Sequence, residues 1–312
     1  MFYNQLSIRI SFFRKDDKHM TFNQNKRLDP SQVQDRRGRS PGRSIAIGGG
    51  GLGLIVLLIS LLLSANPSDL LGGVDSSTSS YYSSDSDTSD LITECQTGAD
   101  ANARADCRIV GFVNSIQDFW TDEFASYDIT YVPSETVLFS GYTESACGYA
   151  SSATGPFYCP SDQMVFLDLA FFETLQSRFG AEGGPFAEAY ILAHEYGHHV
   201  QDLLGVLDTS AMRDTGPGGM AVFTELQADC LAGIWFYHAT ETGYIAPLTY
   251  DEIAQGLNAA ASVGDDLIQS RTQGYISSET WTHGSSEQRQ AALLDGLQSG
   301  DINTCNTPGW TD

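Results

Sequence analysis

The stretch His194-Glu195-Tyr196-Gly197-His198 has the residue types and spacing of a metal-dependent hydrolase. The chain holds six histidines in 312 residues, and His194, His198 and His199 fall within six positions. On an α-helix, residues four apart share a face. His194 and His198 can therefore aim two imidazoles at one cation. Glu195, about 100° further round the helix, can hold a water as general base without being a ligand. A second spacing of four follows at Glu225 and Asp229, among apolar Ala221, Val222, Leu226, Ala228, Ala232 and Ile234. Buried carboxylates without a cation are costly. Glu225 can complete a three-residue ligand set, leaving a fourth position for water. Asp229 can accept a hydrogen bond from the free ring nitrogen of a ligand histidine. The competing readings are two surface histidines on an amphipathic helix and an acidic solvent-facing stripe. The apolar neighbours argue against both.

Two buried helices must position these groups. Ala187, Tyr190, Ile191, Ala193, Val200 and Leu203 give the first an apolar character, with Pro185 suited to its first turn and Gly205 to its stop. The second carries Glu225. Ile109–Phe124 has helical spacing, Ile129–Val132, Thr136–Phe139 and Met164–Leu169 read as strands, and Ala170–Phe179 as a helix. Thr249 with Glu252, and Ser285 with Gln288, are capping boxes that open helices to about Ser262 and Leu297. The glycine-rich loop from Asp214 to Gly219 lacks the Gly-Lys-Ser/Thr of a phosphate-binding loop.

Charge divides the chain. Ten of its 16 Lys and Arg precede residue 45, with four acidic residues among them; the remainder carries 35 acidic residues against six basic ones. The head is +6 and the rest −29, which excludes nucleic acid as a partner of the main domain. Between them, residues 45–63 are uncharged and apolar over 19 positions, about 28 Å as a helix. This predicts one transmembrane helix anchoring the chain in the cell membrane, N-terminus cytoplasmic and main domain extracytoplasmic. A cleaved signal peptide is the rival. The expected organisation is a basic disordered tail over 1–44, the span over 45–63, a Ser/Asp-rich linker over 64–93, and a folded domain over 94–312. All six cysteines follow the span, as suits an oxidising compartment. They allow fifteen pairings, and local spacing suggests Cys95–Cys107 and Cys147–Cys159, leaving Cys230–Cys305.

These segments resemble the bacterial neutral zinc metallopeptidase family, within the gluzincin-like zincins. The resemblance is carried by Ala146-Cys147-Gly148, Gly155 through Pro160, Ala193 through Gln201, Glu225 through Gly233, Leu257 through Ala260, Gly264-Asp265-Asp266, Thr282-His283-Gly284 with Gln288-Arg289, and Cys305-Asn306-Thr307, with Asp35 through Gly38 near the N-terminus. It implies a mainly helical α+β domain with a small sheet, one Zn2+ per chain held by His194, His198 and Glu225, and a peptide or protein substrate. In zincins a strand ahead of the metal helix forms the edge that pairs with extended substrate; Met164–Leu169 stands there, although Phe166 and Asp168 read as core and rim residues. The resemblance also places His283 as a second catalytic group, donating to the oxyanion. The alternative is that His283 and Arg289 cap and anchor the last helix. His199 reads as a residue supporting the site or lying at the surface, and His238 as structural. The favoured function is a membrane-anchored zinc endopeptidase. The alternatives are an amide hydrolase acting on a non-protein envelope substrate, and an anchored scaffold with a structural zinc.

Overall fold

The computed structural model describes residues 21–38, 91–208 and 210–306. Nine helices are assigned among them: α1 (Leu91–Glu94), α2 (Gly98–Ala103), α3 (Ala105–Ser126), α4 (Ala170–Ser177), α5 (Pro185–Leu203), α6 (Met220–His238), α7 (Tyr250–Ser262), α8 (Asp265–Thr272) and α9 (Ser286–Ser299). The strands are β1 (Val33–Asp35), β2 (Glu135–Phe139), β3 (Tyr142–Ser145), β4 (Gly148–Ser151), β5 (Phe157–Cys159) and β6 (Met164–Asp168). The result is a mainly helical fold with a small sheet. Both expected capping boxes form, at Thr249 with Glu252 and at Ser285 with Gln288.

The four-stranded sheet has the order β1-β2-β6-β5, with β5 antiparallel to β6 and the other pairs parallel. β3 and β4 form a separate hairpin. α5 packs against β5 and β6 on one side and against α3, α6 and α7 on the other. Tyr196, one residue after Glu195, pins it to the sheet: its hydroxyl donates to the Ser134 carbonyl at 3.1 Å and lies 3.0 Å from Thr136 Oγ1. α9 lies along α6 so closely that a Cβ on Gly233 would stand 2.1 Å from the Leu293 carbonyl oxygen, and one on Gly296 2.0 Å from that of Cys230. Only glycine permits that approach. All three expected disulfides are bonded: Cys95–Cys107, Cys147–Cys159 and Cys230–Cys305.

Three expectations are corrected. Residues 21–38 are not a disordered tail but part of the domain. Phe22 is buried against Phe112 with ring centroids 4.8 Å apart, and Leu28 and Val33 join the same core. Asn114 exchanges hydrogen bonds with Asp29, and Arg37 bridges Asp35 and Asp106. β1 pairs with β2 from Val33 opposite Thr136 to Asp35 opposite Leu138. A domain starting at residue 94 would therefore lack a strand of its own sheet. Second, Ile129–Val132 forms no strand; Ile129 and Val132 are exposed and no neighbouring chain pairs with them. Third, the strand at Met164–Asp168 is interior, and the edges of the sheet among the described residues are β1 and β5. Phe166 stacks on Phe157 at 4.8 Å, and Asp168 accepts from the Gly141 and Ala170 backbone N–H groups. No helix of the described residues is long and apolar enough to cross a membrane. The apolar run 45–63, residues 64–90 of the expected linker 64–93 and His19 lie outside the described residues, and the last three linker positions belong instead to α1, with Leu91 buried.

Candidate active site

α5 and α6 meet at Gly197, the fourth residue of the H-E-x-G-H stretch. A Cβ on Gly197 would lie 2.8 Å from the Ala228 carbonyl oxygen, so the glycine lets the two helices meet at the level of their polar groups. His194 and His198 then face Glu225 across the crossing. His194 Nε2 is 3.2 Å from Glu225 Oε2, and His198 Nε2 is 3.4 Å from Oε1. One ligand atom from each of the three residues lies within 4.8 Å of the others. All three side chains are buried, Glu225 to 1% exposure.

The outward ring nitrogens are held by acceptors. His194 Nδ1 is 2.9 Å from Asp229 Oδ1, and His198 Nδ1 is 2.8 Å from Gln201 Oε1. Gln201 Nε2 donates to the Thr224 carbonyl and to Gln227 Oε1, both at 2.8 Å, which fixes the amide with its oxygen towards His198. Each ring thus donates from Nδ1 and turns its Nε2 lone pair to the centre. Asp229 also accepts from the Tyr190 hydroxyl at 2.6 Å and from Arg289 Nε and Nη2 at 2.8 and 3.0 Å. Burial raises the Asp229 carboxyl, but Arg289 and His194 outweigh it and hold the group below its usual range. Arg289 is buried inside the site and is more than an anchor for α9.

Burial opposes charge on Glu225, yet His283, His198 and His194 surround it and hold its carboxyl well below the usual range. Burial lowers the His194 imidazole, but Asp229 and Glu225 push it up to about 10. A proton and a divalent cation would therefore compete for His194 Nε2. Glu195 is buried beside them, and burial raises its carboxyl above the usual glutamate range against the pull of both histidines. His283 enters from the segment between α8 and α9, with Nε2 3.9 Å from Glu225 Oε2. Its Nδ1 is 2.8 Å from the Thr282 hydroxyl, and burial lowers its pKa against the pull of Glu225 and Asp265.

The donor set fits a cation. Both oxygens of Glu225 and Nε2 of His283 are buried with no hydrogen-bond partner among the described residues, although His283 Nε2 stands 3.9 Å from Glu225 Oε2. Two imidazoles and one carboxylate match the ligand types of a catalytic zinc site. Cys95, Asp106 and Cys107 also cluster, but those cysteines are joined in a disulfide.

His199 is fully buried and ties two segments to α5. Its Nε2 donates to the Val132 carbonyl at 2.7 Å, and its Nδ1 is 3.0 Å from the Tyr158 hydroxyl on β5. His238 lies away from the site, bonded to Glu241 and the Gly300 carbonyl. Gln201, Tyr190 and Asp265 are site residues that sequence reasoning missed. Gln201 carried a signal, three residues after His198 on a buried helix face; Asp265 stood in a segment that carries the resemblance, but its bonds to the His283 segment, like that of Tyr190 to Asp229, become visible only in the folded chain.

Residues 20–308 match the family model described as "Putative neutral zinc metallopeptidase". An uncharacterized protein of Mycobacterium tuberculosis (strain ATCC 25618 / H37Rv) is 48% identical over 223 residues, covering 69% of this chain and 75% of the relative. The uncharacterized protein YpfJ of Escherichia coli (strain K12) is 34% identical over 296 residues, covering 91% of this chain and 97% of that one. No solved structure matches. With the matched region running through β1, the H-E-x-G-H helix, Glu225 and His283, the chain belongs to this zinc metallopeptidase family.

Proposed function

We propose that the protein is a zinc-dependent endopeptidase that hydrolyses peptide bonds with Glu195 as general base and His283 as oxyanion donor. The observation that carries this reading is the buried, unpartnered carboxylate of Glu225 between two imidazole Nε2 atoms, with a second carboxylate, Glu195, beside them. His194, His198 and Glu225 would hold one zinc, which supplies Lewis acidity to a water and to the scissile carbonyl. Glu195 takes the proton of the attacking water and returns it to the leaving amine. Its raised pKa brings it nearer the value at which one group can do both. His283, with Nδ1 engaged by Thr282, presents Nε2 to the developing oxyanion. β5 is an edge of the described sheet and, of the two edge strands, the one that packs on α5, so an extended peptide can add to it as a strand.

The test is metal analysis with a broad peptide-library digest of the full-length chain, comparing wild type with Glu195→Gln. Both should bind about one zinc per chain, and only the wild type should cut. Equal cutting by the two would remove Glu195 from the mechanism.

The location is part of the proposal. Three disulfides favour a domain working outside the cytoplasm, and the apolar run 45–63 favours attachment to the membrane. Because β1 belongs to the domain's own sheet, residues 21–38 share the domain's side. A cytoplasmic N-terminus followed by one crossing does not accommodate that pairing.

A further inference from the structure

His283 sits on a segment with no regular structure between α8 and α9, yet its Nε2 must hold a fixed position if it is to act. Asp265, the first residue of α8, grips that segment. Its Oδ2 accepts from three consecutive backbone N–H groups: Thr282 at 2.8 Å, His283 at 2.7 Å and Gly284 at 3.1 Å. The Asp265 N–H donates back to the Gly284 carbonyl at 2.8 Å. Gly284 has φ +87°, a conformation open to glycine, and its N–H turns onto the same oxygen as its two neighbours. Asp266 repeats the device one residue on, with Oδ1 accepting from the Ser286 N–H at 2.7 Å and the Ser286 hydroxyl at 2.8 Å.

The choice of a carboxylate is informative. Asp265 is buried to 1% side-chain exposure and has no Arg or Lys partner; its one ion-pair neighbour among the described residues is His283, with Oδ1 3.8 Å from Nδ1. That Oδ1 has no hydrogen-bond partner. Burying a charge only to fasten a loop is expensive. Here the three N–H dipoles compensate it, and all three belong to, or flank, His283, whose Nε2 stands 3.9 Å from Glu225 Oε2.

We propose that Asp265 is a positioning residue: by holding the backbone on both sides of His283 it keeps the imidazole Nε2 beside Glu225. The proposal rests on His283 being the oxyanion donor. Misplacing a catalytic group by about 1 Å can cost about 100-fold in rate, so a lost grip should appear in kcat.

The experiment measures zinc content, kcat and KM of the full-length chain on a peptide that the wild type cuts. The variants are His283→Ala, Asp265→Ala, the double variant and Asp265→Asn. Asp265→Ala should keep about one zinc and lose about 10- to 100-fold in kcat, with little change in KM. Adding it to His283→Ala should cost nothing more, since the two act as a unit. Asp265→Asn keeps one acceptor oxygen for the N–H groups and should recover most of the loss. A wild-type kcat in Asp265→Ala, or equal losses in the presence and absence of His283, overturns the proposal. If Asp265→Ala does not fold, the same cycle with Asp265→Asn decides: its smaller loss should vanish in the His283→Ala background, and persistence there overturns the proposal. Failure of the underlying reading shows separately, as unchanged kcat in His283→Ala or as cutting by Glu195→Gln.

Discussion

A neutral amide does for His198 what a carboxylate does for His194. Gln201 and Asp229 both take the Nδ1 proton, but Asp229 is itself locked by Arg289 and Tyr190. Replacing Gln201 with Leu should lower zinc affinity by about 10- to 100-fold, measured by competition with a chelator, with Glu195 chemistry intact at saturating zinc. His283→Ala should leave zinc bound and reduce kcat by about 100- to 1,000-fold. The acid limb of kcat/KM belongs to Glu195. A general base works deprotonated, and burial raises this carboxyl, so activity should fall on acidification through a pKa above the ordinary glutamate value of about 4.3. A limb at or below that value would contradict the assignment. At this scale the sequence shows what periodicity can show. His194 with His198, and Glu225 with Asp229, were legible because each pair shares a helix face, and Glu195 because it stands next to the first histidine of such a pair. Gln201 was overlooked, and Asp265 was hidden because its partners lie 17 to 19 residues away in a segment without a repeat.

Helices α5 and α6 hold the site only while their backbones touch. A methyl group at Gly197 would meet the Ala228 backbone, so Gly197→Ala should destabilise the fold by about 1–3 kcal/mol. Chemical denaturation should show that loss, and the chelator competition should show weaker zinc, because the helix that moves carries the ligands. The elements were legible where they were long. α5, α6, α7 and α9 follow from apolar spacing and capping residues. The hairpin β3–β4 is exposed and rich in Ser, Gly and Tyr, with no apolar run to announce it. β1 has one buried apolar residue, Val33, among charged and polar neighbours. Its pairing depends on β2, about a hundred residues later, and no local pattern reports it. Ile129–Val132 shows the opposite error: strand-forming side chains with no partner strand remain a loop.

The whole molecule is sewn from both ends. With β1 in the sheet, an N-terminal tag and a C-terminal tag should become protease-accessible from the same face of a sealed vesicle. Opposite faces would require the β1–β2 pairing to be abandoned in the membrane. At the other end, Cys230–Cys305 joins the Glu225 helix to the last turn of the described chain, and Gln227 bonds to the Cys305 carbonyl and Asn306. Asp265, His283 and Arg289 all lie inside that loop. A peptidase is surrounded by other peptidases, including copies of itself. A clip anywhere between those two cysteines would leave the halves fastened together, one band on a gel run without thiol and two bands with it, so that the worn enzyme could keep working until a reductant lets the pieces part.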